Sequence, residues 1–198
     1  PLTVTGSNRS VIYNAATQTN SAATVSGLVG GESATPSGFA SGRNAGVYND
    51  VLALTAGANT LLSNYSVTNI NGSLTVTPYP LSFGGTPSAN SPGVTVVAAD
   101  RVYNGNTAAS VSLTPVLFAG DTLTATSGSA NFDTKNVGTG KTVTVGGITL
   151  AGNATTLANY SLGNVSSATT TANITPYQLS VGGTPSTNSP GLVVAAND

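Results

Sequence analysis

Side chains that commonly do chemistry are scarce in this chain. Its 198 residues contain no His and no Cys. That removes the imidazole general base, the thiol nucleophile and the usual nitrogen and sulfur ligands for zinc. Asp121 and Asp133 are the one close pair of acids in the second half, and the aligned positions of the first half are Glu32 and Ala40. An acid–base site carried twice would keep both acids, so the expected reading is no catalytic residue, no cofactor and no metal. Calcium would need six to eight oxygens from clustered carboxylates. Asp100, Asp121 and Asp133 are instead spaced as acids that bond turns, with no D-x-D-x-D loop around them. Lys135 and Lys141 raise the idea of a Lys–Asn crosslink beside a buried acid. The first half has Arg43 in place of Lys135 and no lysine at all, which fits a structural cation whose stem covers apolar surface.

The seven tyrosines could form a sugar-stacking platform. Six of them fall in equivalent pairs, Tyr13/Tyr103, Tyr65/Tyr160 and Tyr79/Tyr177, and only Tyr48 stands alone. Repeated placement points to a role in folding. Asn64-Tyr65 and Asn159-Tyr160 each precede a final pair of strands and look like tyrosine corners, the hydroxyl bonding back to nearby main chain. Gly84-Gly85 and Gly182-Gly183 lie in turns with no following helix or lysine, so they form no phosphate loop.

The elements that hold these residues are strands. Apolar and β-branched residues alternate with Thr and Ser in Leu2–Thr5, Leu74–Val76, Val94–Val96, Val111–Leu113, Leu123–Ala125 and Thr142–Val145. Turn residues interrupt them at the rhythm of a small β-sandwich. The one helix-compatible window, Val51–Leu62, is weakened by Gly57 and Asn59 and predicts a single turn at most. The stretches Pro78–Asp100 and Pro176–Asp198 are identical at 16 of 23 positions and lie 98 residues apart. Further matches align the halves: Val11–Asn14 with Arg101–Asn104, Gly27–Glu32 with Val116–Asp121, Arg43–Gly46 with Lys135–Gly138, and Asn64-Tyr65 with Asn159-Tyr160.

The expected fold is therefore all-β, as tandem small antiparallel, Ig-like β-sandwich modules without substantial helix. A β-grasp-like sheet is the alternative, disfavoured for lack of a crossing helix. A parallel β-helix is disfavoured because the repeat is several times a coil's length. Residues 1–80 form the first module, 81–178 the second and 179–198 the opening strands of a third. Each module is expected to bury its own core, and Pro78 and Pro176 to set the junctions. Leu179, Val181, Leu192, Val193 and Val194 are the expected inter-module contacts, with the tail ordered by pairing onto the second module or a neighbouring unit. The chain starts at Pro1 without a signal segment, so excision from a longer array is expected.

Tyr103-Asn104-Gly105, Gly120-Asp121, Lys135-Asn136-Val137-Gly138, Asn159-Tyr160 and Ile174-Thr175-Pro176 together resemble the YDG-type repeat. The first module resembles the related MBG-type repeat and departs from the signature at Asn14-Ala15. The resemblance implies a secreted bacterial surface protein of the filamentous-haemagglutinin-like adhesin kind. The expected function is then a non-catalytic segment of an extended stalk or fibre, whose partners are neighbouring modules or protomers of the same protein. A module binding cell-surface or matrix glycans, or another host surface, is the alternative. A net charge of −1 gives no field for a phosphate backbone, and no apolar run is long enough for membrane insertion, so neither nucleic acid nor membrane is an expected partner.

Overall fold

Alternation of apolar and hydroxyl side chains puts one face of each strand inward. In Ser73–Thr77, Leu74 and Val76 are buried while Ser and Thr between them are partly exposed. Gly138–Gly146 does the same with Val143 and Val145, and Ala168–Thr175 with Ala172 and Ile174. The computed structural model describes residues 1–163, 165–187 and 189–194 and is nearly all β, in several small sheets. The window Val51–Leu62 contains the strand Ala53–Ala56, with one 3-10 turn at Leu62–Asn64 beside it. A short helix lies instead at Ala154–Ala158, started by Asn153, whose side chain accepts the Thr155 N–H at 2.9 Å. No helix among the described residues is long and apolar enough to cross a membrane.

Pairing gathers the strands into two sets, joined by one short parallel pair, Tyr79–Pro80 with Tyr160–Ser161. In the first, Leu2–Gly6 lies between Ala23–Ser26 and Val67–Ile70, and Ser73–Thr77 lies between Asn8–Ile12 and Gly46–Asn49. In the second, Gly93–Ala98 lies between Ser82–Phe83 and Val111–Val116. Ala168–Thr175 lies between Arg101–Val102 and Gly138–Gly146, and Ser129–Phe132 completes that sheet. The sheets are mixed, a detail that alternation alone does not reveal. Asn8–Ile12 runs parallel to Ser73–Thr77, and Arg101–Val102 runs parallel to Ala168–Thr175, in the same relative place. Parallel partners require a long connection, and here the whole module is that connection.

The duplicated stretch is a strand, an outward loop and a return strand. Ser82–Phe83 pairs in parallel with Gly93-Val94, and Ser180–Val181 pairs likewise with Gly191–Leu192. Each loop is closed at its tip by a bridge, Ser88 to Ser91 and Ser186 to Ser189. The glycines that open it, Gly84 and Gly85, sit at φ of 79° and 72°, where a Cβ is disfavoured. The tail is thus paired with itself, where pairing onto the second module or a neighbour was expected. Of the expected inter-module contacts, Leu179 is 62% and Val181 71% exposed, and Leu192, Val193 and Val194 are also exposed. Positions 188 and 195–198 of the expected third-module segment lie outside the described residues.

One apolar cluster belongs to the second set alone: Phe132, Val143, Val145, Ile148, Ala172 and Ile174. The other does not respect the division. Tyr13, Ala40, Leu74 and Val76 from the first set are completed by Leu81, Val94, Leu117 and Tyr160 from the second. The expectation of a separate core in each module is corrected here: the first module finishes its core with side chains of the second.

Candidate functional site

The most concentrated chemistry in the molecule lies where the two strand sets meet. Parallel pairing of Asn8–Ile12 with Ser73–Thr77 ends as the Tyr13 N–H donates to the Thr77 carbonyl at 2.8 Å. That fixes Tyr13 at the end of the sheet, beside Tyr79, with Pro78 between Thr77 and Tyr79 in the chain. From the other side, the turn Phe118–Asp121 closes through the Asp121 N–H on the Phe118 carbonyl at 3.1 Å, and this aims the carboxylate back at Tyr13.

Asp121 Oδ2 accepts from the Tyr13 hydroxyl at 2.7 Å and from the Tyr160 hydroxyl at 2.7 Å. Arg43 Nη2 stands 3.8 Å from Asp121 Oδ1, and the carboxylate-bearing side chain is only 7% exposed. Arg43 is itself held by its Nε bond to the Ala15 carbonyl at 2.7 Å. The rings interlock edge to face: Tyr13 on Phe118 at 5.8 Å, Tyr13 on Tyr160 at 5.5 Å and Tyr79 on Phe118 at 5.1 Å between centroids. Asn159 adds a polar clasp. Its Oδ1 accepts the Ala45 N–H at 2.7 Å, its Nδ2 donates to Asn44 Oδ1 at 3.1 Å, and its carbonyl accepts the Tyr79 N–H at 2.9 Å.

Burial pushes the Tyr13 phenol up to about 12, and its bond to the Asp121 carboxylate adds to the shift. Burial raises Tyr160 as well, and the same carboxylate reinforces it. A neutral phenol can donate to Asp121 and a phenolate cannot, so the site holds its protons firmly. With two phenols and a guanidinium around one acid, the arrangement is a lock between two bodies.

The first module carries the same acid–phenol pair at its opposite end. Tyr65 donates to Glu32, and the Val29 N–H donates to the Tyr65 hydroxyl at 3.1 Å, just as the Phe118 N–H donates to the Tyr160 hydroxyl at 3.1 Å. Hydrogen bonding to Glu32 raises the Tyr65 phenol. The tyrosine corners expected at Tyr65 and Tyr160 therefore do reach main chain, but main chain 36 and 42 residues upstream. Asn64 lies in the short turn before Tyr65.

Tyr103 repeats the placement of Tyr13, its N–H donating to the Thr175 carbonyl at 2.9 Å. It lines an open cavity of about 780 Å³ together with Asn136, Val137, Pro176, Tyr177 and Leu179. Lys135 precedes that rim as Arg43 precedes Asn44. Two further acids are occupied locally. Asp133 lies 2.7 Å from Lys141 Nζ and is held below the usual carboxylate range by that bond. Asp100 accepts the Asn173 N–H at 2.7 Å, which lowers it too. Among the described residues no three potential metal-ligating acids cluster.

Sequence reasoning grouped Tyr13, Tyr160, Asn159 and Arg43 as motif residues without placing them together. It missed Phe118, Asn44 and the role of Asp121, although Asp121 and Glu32 align in the repeat. It also missed a buried polar pair inside the first module, where Asp50 accepts from Asn20 Nδ2 at 2.9 Å and from the Ala40 N–H at 2.7 Å.

Fold and site together define an all-β repeat whose modules meet through a buried acid–phenol contact. Residues 86–172 match the YDG domain, the family that the Tyr103-Asn104-Gly105 signature resembles. No curated protein and no solved structure matches the chain.

Proposed function

We propose that this chain is a non-catalytic structural segment of an extended stalk or fibre of a secreted bacterial surface protein. The observation that supports it best is the lock at the junction. Asp121 is bound by a hydroxyl from each module, and the apolar cluster around it draws on both. A flexible tether needs no such contact, whereas a load-bearing rod needs every junction stiff. The partners on this reading are modules of the same protein, and the site of action is outside the cell.

One observation favours the alternative of glycan or host-surface binding. Tyr103 and Tyr177 flank an open cavity, Tyr177 being 38% exposed, while Tyr13 is fully buried and Tyr79 partly buried against Phe118. Such a pair could stack on a sugar ring.

Small-angle scattering from the whole chain separates rod from tether. The stalk reading expects one rigid elongated body, and Asp121→Lys is expected to broaden the distribution of shapes. A freely hinged pair in the unaltered chain would overturn it. Surface location is tested by treating intact producing cells with protease: loss of the chain before lysis is expected, and protection until lysis would overturn this part. Glycan-array binding that disappears in Tyr103→Ala/Tyr177→Ala would establish the alternative.

A further inference from the structure

The far end of the second module carries the half-junction with which the first module holds the second. Tyr13, Asn44, Ala45 and Tyr79 contact Asp121, Asn159 and Phe118. Their aligned counterparts are Tyr103, Asn136, Val137 and Tyr177, and these line the open cavity. The same parallel pairing sets both phenols, Tyr13 on Thr77 and Tyr103 on Thr175. Lys135 stands where Arg43 approaches Asp121, so the charge offered to an incoming acid is also kept. The complementary half exists twice in the chain, as Asp121 with Tyr160 and as Glu32 with Tyr65. Each module thus has a phenol end and an acid end, and the interface joins unlike ends.

We infer that the Tyr103 end of the second module is a docking surface for another module of this repeat, one presenting a carboxylate–tyrosine head like that of Asp121 and Tyr160. The occupant would place its acid between Tyr103 and its own tyrosine, and its Asn159-type side chain on the Val137 N–H. Its Asn159-type carbonyl would take the Tyr177 N–H. Among the described residues neither of these N–H groups is hydrogen-bonded, whereas the corresponding Ala45 and Tyr79 N–H groups are. The exposed Leu179 would become buried, as Leu81 is at the existing junction. Open cavity, exposed aromatic edge and exposed leucine are then one surface awaiting one partner. This inference rests on the tandem-module reading above, but not on location at a cell surface.

The test is the whole chain lengthened after Asp198 by a second copy of residues 101–178, which the repeat aligns in register. Backbone hydrogen exchange is compared with the original chain. Exchange at Val137 and Tyr177 is expected to slow by about 100-fold or more, as for amides that open only with a packed unit. Ala45 and Tyr79 should stay protected throughout, which reports that the original junction is folded. Asp121→Lys in the appended copy is expected to restore fast exchange at both positions, and Asn159→Ala in that copy at Val137 above all. Unchanged exchange at Val137 and Tyr177 in the lengthened chain would overturn the inference. So would protection indifferent to both substitutions, since the tail loop carrying Thr187 and Pro190 would then be the occupant. Scattering from the same lengthened chain tests the stalk separately: docked modules that fold back would sink the rod and leave the docking surface standing.

Discussion

At the residue scale, the Tyr-Asn-Gly signature resolves into three separate jobs. The tyrosine is the docking group. The asparagine folds the next residues back, Asn104 Oδ1 accepting the Asn106 N–H at 3.3 Å and Asn14 Oδ1 the Ala16 N–H at 3.0 Å. Glycine supplies a left-handed backbone: Gly105 sits at φ 82°, and the departing module forces Ala15 to φ 62°. An L-residue there costs about 1 kcal/mol or more. Ala15→Gly is therefore expected to stabilise the chain by about 1 kcal/mol in urea unfolding, and Gly105→Ala, whose Cβ would meet open space, to destabilise it by about as much. Asp121→Ala strands the two phenols that donate to it, and it is expected to cost about 3 kcal/mol. Tyr13→Phe, which leaves Tyr160 in place, should cost about 1–2 kcal/mol. The lock also has a pH signature. Because the folded state raises the Tyr13 phenol to about 12, its stabilisation is whole below the ordinary phenol value of about 10 and is lost as pH rises through about 12. Tyrosinate absorbance should therefore appear late and together with loss of structure, while Tyr13→Phe should narrow that window. The tyrosine pairs could be read from the sequence as a motif. The lock could not, because Tyr13 and its acid lie 108 residues apart and nothing local ties them.

At the element scale, alternation marked the strands well, since Leu74/Val76 and Val143/Val145 are buried at every second position. Partnership was hidden for a physical reason. A strand's own side chains say which face is buried, but Asn8–Ile12 meets Ser73–Thr77 only after the rest of the module has folded between them. The helix Ala154–Ala158 escaped notice because Thr155 and Thr156 are weak helix formers, and its capping asparagine was the one local signal. Asn153→Ala should cost about 1 kcal/mol, seen as faster exchange at the Thr155 and Leu157 amides. The outward loop from Gly84 to Gly93 was legible as turn material flanked by strands. That its two strands run parallel follows from the loop's full return to its starting edge.

At the scale of the whole molecule, a shared core ties the fates of the modules. Leu81 belongs by sequence to the second and shares one apolar cluster with Tyr13, Leu74 and Val76 of the first. Leu81→Ala is expected to cost about 2–4 kcal/mol and to lower the melting of both modules together, as a single calorimetric transition. Two separate transitions in the unaltered chain would contradict the shared core. Repetition was plain in the sequence alone. It did not reveal that the units complete one another, because duplication shows what recurs and not which surfaces touch. The parallel pairing of each module's early and late strands carries one last consequence, for mechanics. Tension applied at the chain ends draws Asn8–Ile12 and Ser73–Thr77 past each other along their length, so their bonds resist in shear and must fail together instead of unzipping singly. This clasp has five residue pairs in the first module, Ser73↔Asn8 to Thr77↔Ile12, and two in the second, Arg101↔Ile174 and Val102↔Thr175. In single-molecule stretching the second module should therefore yield first and at the lower force, leaving the first as the stronger link.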